Sequence, residues 1–145
     1  MAAVSAYTPA YGTYRQNVDN STYSNADMIH TTHFHLDWLV DFDNKELKGA
    51  VYHDLDVLAD TDWLTMDAWN IDIESVEMVP AGSAKKLRDE SPSSLDTAIY
   101  GYPLDWEINV INTLIGDELM ISFKDVQNAG EEVSVRINYT TLKTA

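Results

Sequence analysis

The stretch Phe34-His35-Leu36-Asp37-Trp38-Leu39-Val40-Asp41-Phe42 decides the fold. Phe34, Leu36, Trp38, Val40 and Phe42 occupy every second position, and His35, Asp37 and Asp41, with His33 before them, fall between. Side chains alternate across a β-strand, so this period of two predicts a long half-buried strand with one apolar face. Asp43-Asn44-Lys45-Glu46 has turn chemistry. The chain then returns through Leu47, Gly49, Val51, His53, Leu55 and Val57, which completes a hairpin.

Working outward, Trp63–Asp67 and Ile71–Val79 read as two further strands. The apolar phase of the second changes between Ile73 and Val76, which predicts a bulge near Ser75. Strands resume at Leu104–Val110, at Glu118–Phe123 with Leu119, Ile121 and Phe123 inward, and at Val133–Tyr139. No repeat and no long helical period is present. The pattern predicts an all-β domain: a curved sheet or two-layer β-sandwich of about seven to eight strands. Residues 1–29, rich in Tyr, Thr, Asn and Ala, read as an extended N-terminal arm. Residues 30–145 read as a single β domain, with a long surface loop at 83–103 where the apolar pattern dissolves.

Composition narrows the function. A chain of 145 residues suits one domain. Nine Lys and Arg against 24 Asp and Glu give a net charge of −15, the wrong sign for neutralising nucleic-acid phosphates or anionic lipid headgroups. No apolar run approaches the ~20 residues of a membrane span. The opening segment has neither a basic n-region nor an apolar h-region, so no signal peptide is expected. There are no cysteines, which removes disulfides and thiolate chemistry and suits a reducing, cytoplasmic setting. Without a secretion signal, the triplets Asn20-Ser21-Thr22 and Asn138-Tyr139-Thr140 are taken as chance glycosylation matches.

The ordered pieces resemble the start of the N-terminal β domain of the leukotriene hydrolase and zinc aminopeptidase family. The residues that carry the resemblance are Asp19–Asn25, Thr31-Thr32-His33-Phe34-His35-Leu36, Val40-Asp41-Phe42, Lys48-Gly49, Leu64-Thr65-Met66-Asp67, Ile71–Val76, Gly116–Phe123 and Gly130–Ile137. Each piece is a plain strand or turn, and the series with compatible spacing makes the likeness. The resemblance implies a β scaffold. It also implies that peptidase chemistry would need a His-Glu-x-x-His helix with a distant Glu and a Gly-x-Met-Glu-Asn segment, and neither occurs in this sequence. The chain also stops before the glutamine-containing segment that reaches the family's active site. The expectation is therefore a domain that is not a zinc peptidase on its own, with no metal and no cofactor. The 83–103 loop, together with Trp38, Trp63, Trp69 and Trp106, departs from the family pattern.

The candidate site residues follow from these departures and from the strand faces. His33, His35, Asp37 and Asp41 form a row on one strand face, with alternate residues about 7 Å apart, suited to acid/base work or metal binding, or simply to a solvated face. His53 shares the phase of Leu55 and Val57, which favours a partly buried, hydrogen-bonded histidine. Trp38, in phase with Phe34 and Phe42, reads as core. Trp69, Trp106, Tyr100 and Tyr102 are the candidates for lining a ligand or partner surface, because aromatics supply large contact area with few rotors.

Three functional readings compete. The first is a stand-alone, peptidase-inactive module that binds an apolar or aromatic small molecule or a protein partner. The second is a small metal-free enzyme for cyclisation, isomerisation or epoxide opening of an apolar metabolite, drawing on Asp37, Asp41, His35, His53, Tyr100 and Tyr102. The third is a fragment of a longer aminopeptidase. Composition leaves the oligomeric state open.

Overall fold

A computed structural model describes residues 21–89, 99–112 and 114–142. Its strands are β1 (Ile29–Asp41), β2 (Glu46–Val57), β3 (Thr61–Ala68), β4 (Ile71–Val79), β5 (Tyr102–Pro103), β6 (Asp105–Asn112), β7 (Gly116–Gln127) and β8 (Glu132–Thr141), with one helix, α1 (Ser83–Asp89), between β4 and β5. They form two antiparallel sheets, a five-stranded one in the order β1-β2-β8-β4-β5 and a three-stranded one in the order β3-β7-β6. The fold is all-β, and neither sheet closes on itself.

The two layers share one core. Leu55 and Val57 of β2, Ile73, Val76 and Met78 of β4, and Val133, Val135 and Ile137 of β8 meet Leu64 of β3 and Leu119, Ile121 and Phe123 of β7. These are the inward sets that period-two alternation predicts for β7 and β8. The ladder between β4 and β8 shifts register between Ile73 and Ser75, so the bulge inferred from the phase change is present.

The last strand lies at the centre of the larger sheet. From β8, Ser134 Oγ donates to Asp54 of β2 at 2.6 Å, Arg136 pairs with Glu77 of β4, and Asn138 Nδ2 donates to Ser75 Oγ at 2.8 Å. Both neighbouring strands, β2 and β4, are thus tied to one element on the face away from the core.

Two expectations need revising, and a third becomes specific. The first concerns β1, whose inner-face residues were expected to be covered. Phe34 is 59% exposed, Trp38 42% and Phe42 85%, so Trp38 is not core. The smaller sheet has three strands against five, and it leaves β1 and the turn end of β2 without a covering layer.

The second concerns 83–103, which is not a uniform loop. Ser83–Asp89 forms α1, residues 90–98 lie outside the described residues, and Tyr102–Pro103 adds a two-residue strand beside Met78 and Glu77. A seven-residue helix is marginal by itself. This one is held by Asp54, a fully buried carboxylate on β2 that accepts the backbone N–H of Ala84 at 3.0 Å and of Lys85 at 2.9 Å.

The third concerns the arm. Residues 1–20 lie outside the described residues and Ile29 already belongs to β1, but residues 21–28 run along the edge of β3. Asn25 replaces a strand there: its Oδ1 accepts the N–H of Thr65 at 2.9 Å and its Nδ2 donates to the carbonyl of Trp63 at 3.2 Å. Thr65 Oγ1 donates to the Tyr23 carbonyl, and Asp67 accepts from Thr22 Oγ1 and the Tyr23 N–H.

Candidate functional site

Where the three-stranded layer stops, the inner face of the five-stranded sheet continues into solvent. The result is a groove of about 560 Å³. Phe34 and Leu36 of β1, Val51 of β2, Ile71 of β4, and Ile137 and Tyr139 of β8 form its floor, and Met66, Ala68 and Leu119 of the smaller sheet form one wall. Its polar members are Ser24, His53 and Asp67. A volume between about 300 and 1,000 Å³, mostly apolar lining and a few convergent polar groups are the usual properties of a small-molecule site.

Register places these side chains. Phe34 lies opposite His53, Leu36 opposite Val51 and Trp38 opposite Gly49 across the β1–β2 ladder. On the other side of β2, Val51 faces Ile137 and Gly49 faces Tyr139. One row therefore runs Trp38–Gly49–Tyr139 over three strands. The missing side chain at Gly49 lets the Trp38 indole reach across, and its Nε1 donates to the Tyr139 hydroxyl at 2.9 Å. Strand approach is close at this point: a Cβ on Gly49 would lie 1.9 Å from the Asp37 carbonyl oxygen.

Trp69 enters at the corner between β3 and β4, where the chain crosses from one sheet to the other. Asn70 beside it takes φ of 50°, a left-handed conformation that Asn tolerates better than most residues. This tight corner sets Trp69 at the rim of the groove, 56% exposed.

His53 is the ionisable group in the floor. Burial among apolar neighbours lowers its pKa from 6.5 to about 4, against a smaller opposing pull from the Asp54 carboxylate. The imidazole is therefore neutral at pH 7. Its Nδ1 lies 3.2 Å from Thr31 Oγ1, and its ring centroid lies 6.5 Å from that of Phe34. Among the described residues Nε2 has no partner, so it is the nitrogen that can meet a ligand's polar group. Asp67, at the rim, already accepts from Thr22 and Tyr23.

The other candidates from sequence lie elsewhere. His35, Asp37 and Asp41 are on the opposite face of β1. His35 packs edge-on to Tyr52 with centroids 6.3 Å apart, and Asp37 is exposed. Asp41 accepts the N–H of Asn44 at 2.8 Å and shapes the hairpin turn. Tyr100 is exposed, Tyr102 sits in β5 with Lys124 Nζ 5.2 Å from its ring centroid, and Trp106 lies opposite Ile121 on the edge strand β6. None of these three lines the groove. Of the two candidate sets, the structure brings together His53 and Trp69.

Phe34, Leu36, Val51 and Tyr139 were missed as site residues. Their alternation was visible, but a period of two does not tell which apolar face lacks a covering layer. Among the described residues no group of three or more His, Asp or Glu side chains could hold a metal ion. Among them also, no helix is long and apolar enough to cross a membrane.

No known protein-family profile matches the chain. In fold it is similar to solved structures of leukotriene A4 hydrolase from the yeast Saccharomyces cerevisiae. The complex of that enzyme with bestatin superposes with a TM-score of 0.66 at 20% identity over 94% of this chain, and the native enzyme with 0.65 at 19% over 92%. An M1 zinc metallopeptidase from Deinococcus radiodurans, bound to a Tyr-Ser-Ala substrate, superposes with a TM-score of 0.54 at 11% identity over 81%. The chain spans about a fifth of the length of these proteins, 18% of the yeast enzyme and 21% of the bacterial one. The N-terminal β domain of leukotriene A4 hydrolase and M1 aminopeptidases, to which the sequence bore a resemblance, is thus the fold of this chain.

Proposed function

We propose that this domain is a binding module that takes an apolar small molecule into the groove between its two sheets. The observation that carries the reading is the uncovered inner face of β1 and β2, where Phe34, Leu36 and Trp69 stand in solvent beside a neutral, half-buried histidine. Soluble folds seldom leave such a face wet without use. Zinc-peptidase work is not part of the reading, because the sequence carries neither the His-Glu-x-x-His helix nor the Gly-x-Met-Glu-Asn segment that this chemistry needs.

The test is titration with an apolar fluorescent probe, followed by competition with a panel of apolar metabolites and a check for their conversion. The wild type should bind with a saturable signal. Trp69→Ala and Phe34→Ala should each weaken binding about tenfold, as expected from losing a stacked or packed aromatic, while the far-UV spectrum stays unchanged. Equal binding by all three proteins would overturn the assignment of the groove.

A second reading, a metal-free enzyme, has one specific observation in its favour. His53 is an unprotonated imidazole at neutral pH inside an apolar site, the state required of a general base. Under this reading a bound metabolite would be consumed, and His53→Gln would stop consumption with binding retained. Binding without consumption favours the module.

A further inference from the structure

We propose that the domain forms a two-fold dimer by antiparallel pairing of β1 with β1 of a second copy, with the axis at Leu36. This step is independent of the ligand reading. Its starting point is the way the molecule treats its sheet edges. An unpaired strand edge is a template for another chain, and proteins blunt such edges with short strands, prolines, bulges, charges or a covering segment.

Among the described residues, three of the four sheet edges are managed in this way. β5 has only two residues, one of them Pro103. β3 is covered by residues 21–28 through Asn25, Thr22 and Tyr23. β6 breaks register between Asn109 and Asn112 and carries Asp105 and Glu107. β1 is different. It is 13 residues long, contains no Pro, Lys or Arg, and runs without irregularity from His33 to Asp41. Among the described residues it pairs with β2 alone.

The sequence of β1 is also self-complementary, most fully in one register. A two-fold axis normal to the sheet preserves faces, so residues opposite each other must have the same parity. With the axis at Leu36, His35 lies opposite Asp37 on both sides, an imidazole donor against a carboxylate. Phe34 lies opposite Trp38, also twice, and Leu36 meets itself. Aromatic cross-strand pairs and donor–acceptor pairs are the combinations that stabilise antiparallel ladders. Moving the axis to His35 sets imidazole against imidazole, and moving it to Asp37 sets carboxylate against carboxylate. Moving it to Trp38 keeps His35 against Asp41 but sets the Asp37 carboxylate against Leu39 and leaves Phe34 opposite Phe42, beyond the end of the strand. The favoured register joins the two uncovered apolar faces into one surface.

The absence of cysteine gives an unobstructed test. In the full chain, Leu36→Cys would place two thiols on directly opposite residues, with Cα atoms about 4.5–5.5 Å apart, within reach of a disulfide. Leu39→Cys would place them six residues apart along the strand, about 20 Å. The expected result is a wild-type mass twice that of the chain in sedimentation equilibrium. Mild oxidation should cross-link L36C quantitatively and L39C not at all, and Asp37→Lys, at an exposed position, should loosen the dimer at least tenfold. A wild type that stays monomeric across a dilution series would overturn the proposal. So would equal cross-linking of the two cysteine variants, or an Asp37→Lys dimer as tight as the wild type.

Discussion

Replacing Asp54 by Ala tests the account of how α1 is held. The carboxylate is fully buried and accepts three hydrogen bonds, from Ser134 Oγ at 2.6 Å, Lys85 N at 2.9 Å and Ala84 N at 3.0 Å. Removing the acceptor leaves three donors, each costing about 1–3 kcal/mol when it stays buried and unmatched. Because the helix start can relax toward water, the expected loss is about 4 kcal/mol, of which the cap alone accounts for ~1 kcal/mol. Asp54→Asn keeps one acceptor oxygen and turns the other into a donor facing a donor, so about half that loss is expected. The assay is urea unfolding. With a slope of about 2 kcal/mol per molar, Asp54→Ala should lower the midpoint by about 2 M. Amide exchange at Ala84 and Lys85 should accelerate in native conditions. A midpoint within ~0.5 M of the wild type, or unchanged protection at those amides, would refute the view that a β2 carboxylate holds the helix.

Two further outcomes follow from the groove. His53 binds a proton at about pH 6.5 when unfolded but only at about 4 when folded, so the unfolded state holds the extra proton between those values. Stability should therefore be fully present above pH 6.5 and fall as pH drops towards 4, by up to about 3 kcal/mol from this group. His53→Gln should flatten that part of the profile, and parallel wild-type and variant profiles would contradict the burial argument. Gly49→Ala should force β1 away from β2 and break the Trp38–Tyr139 hydrogen bond, costing about 1–3 kcal/mol with a shift in tryptophan emission. An unaltered melting temperature and emission spectrum would mean that the two strands are not as close as 1.9 Å implies.

What was legible in the sequence was local. Alternation at Phe34–Phe42 and at Val133–Tyr139 specified strands, their faces and, through the phase change, the bulge at Ser75. What was not legible depends on residues far apart in the chain. Trp38 has the same period as Leu55, yet one is half exposed and the other buried, because coverage depends on how far a different sheet extends. The helix α1 lacks apolar periodicity, and its first turn is held by Asp54 and not by a local cap. The groove shares that difficulty. Its residues come from β1 to β4, β7 and β8, and no segment carries more than a few of them.

The strand order has a kinetic consequence. β2 and β4 never touch in the larger sheet, since β8 lies between them. While the chain is being synthesised, the β1–β2 hairpin can form early, but β4 has no neighbour in its own sheet except the two residues of β5 until β8 arrives. Folding must therefore wait for a late, long-range closure, a slow route that exposes strand edges in the interval. The hairpin with the least protected edge is also the one that waits longest. The open β1 edge is therefore most exposed to mispairing in the interval before β8 is made.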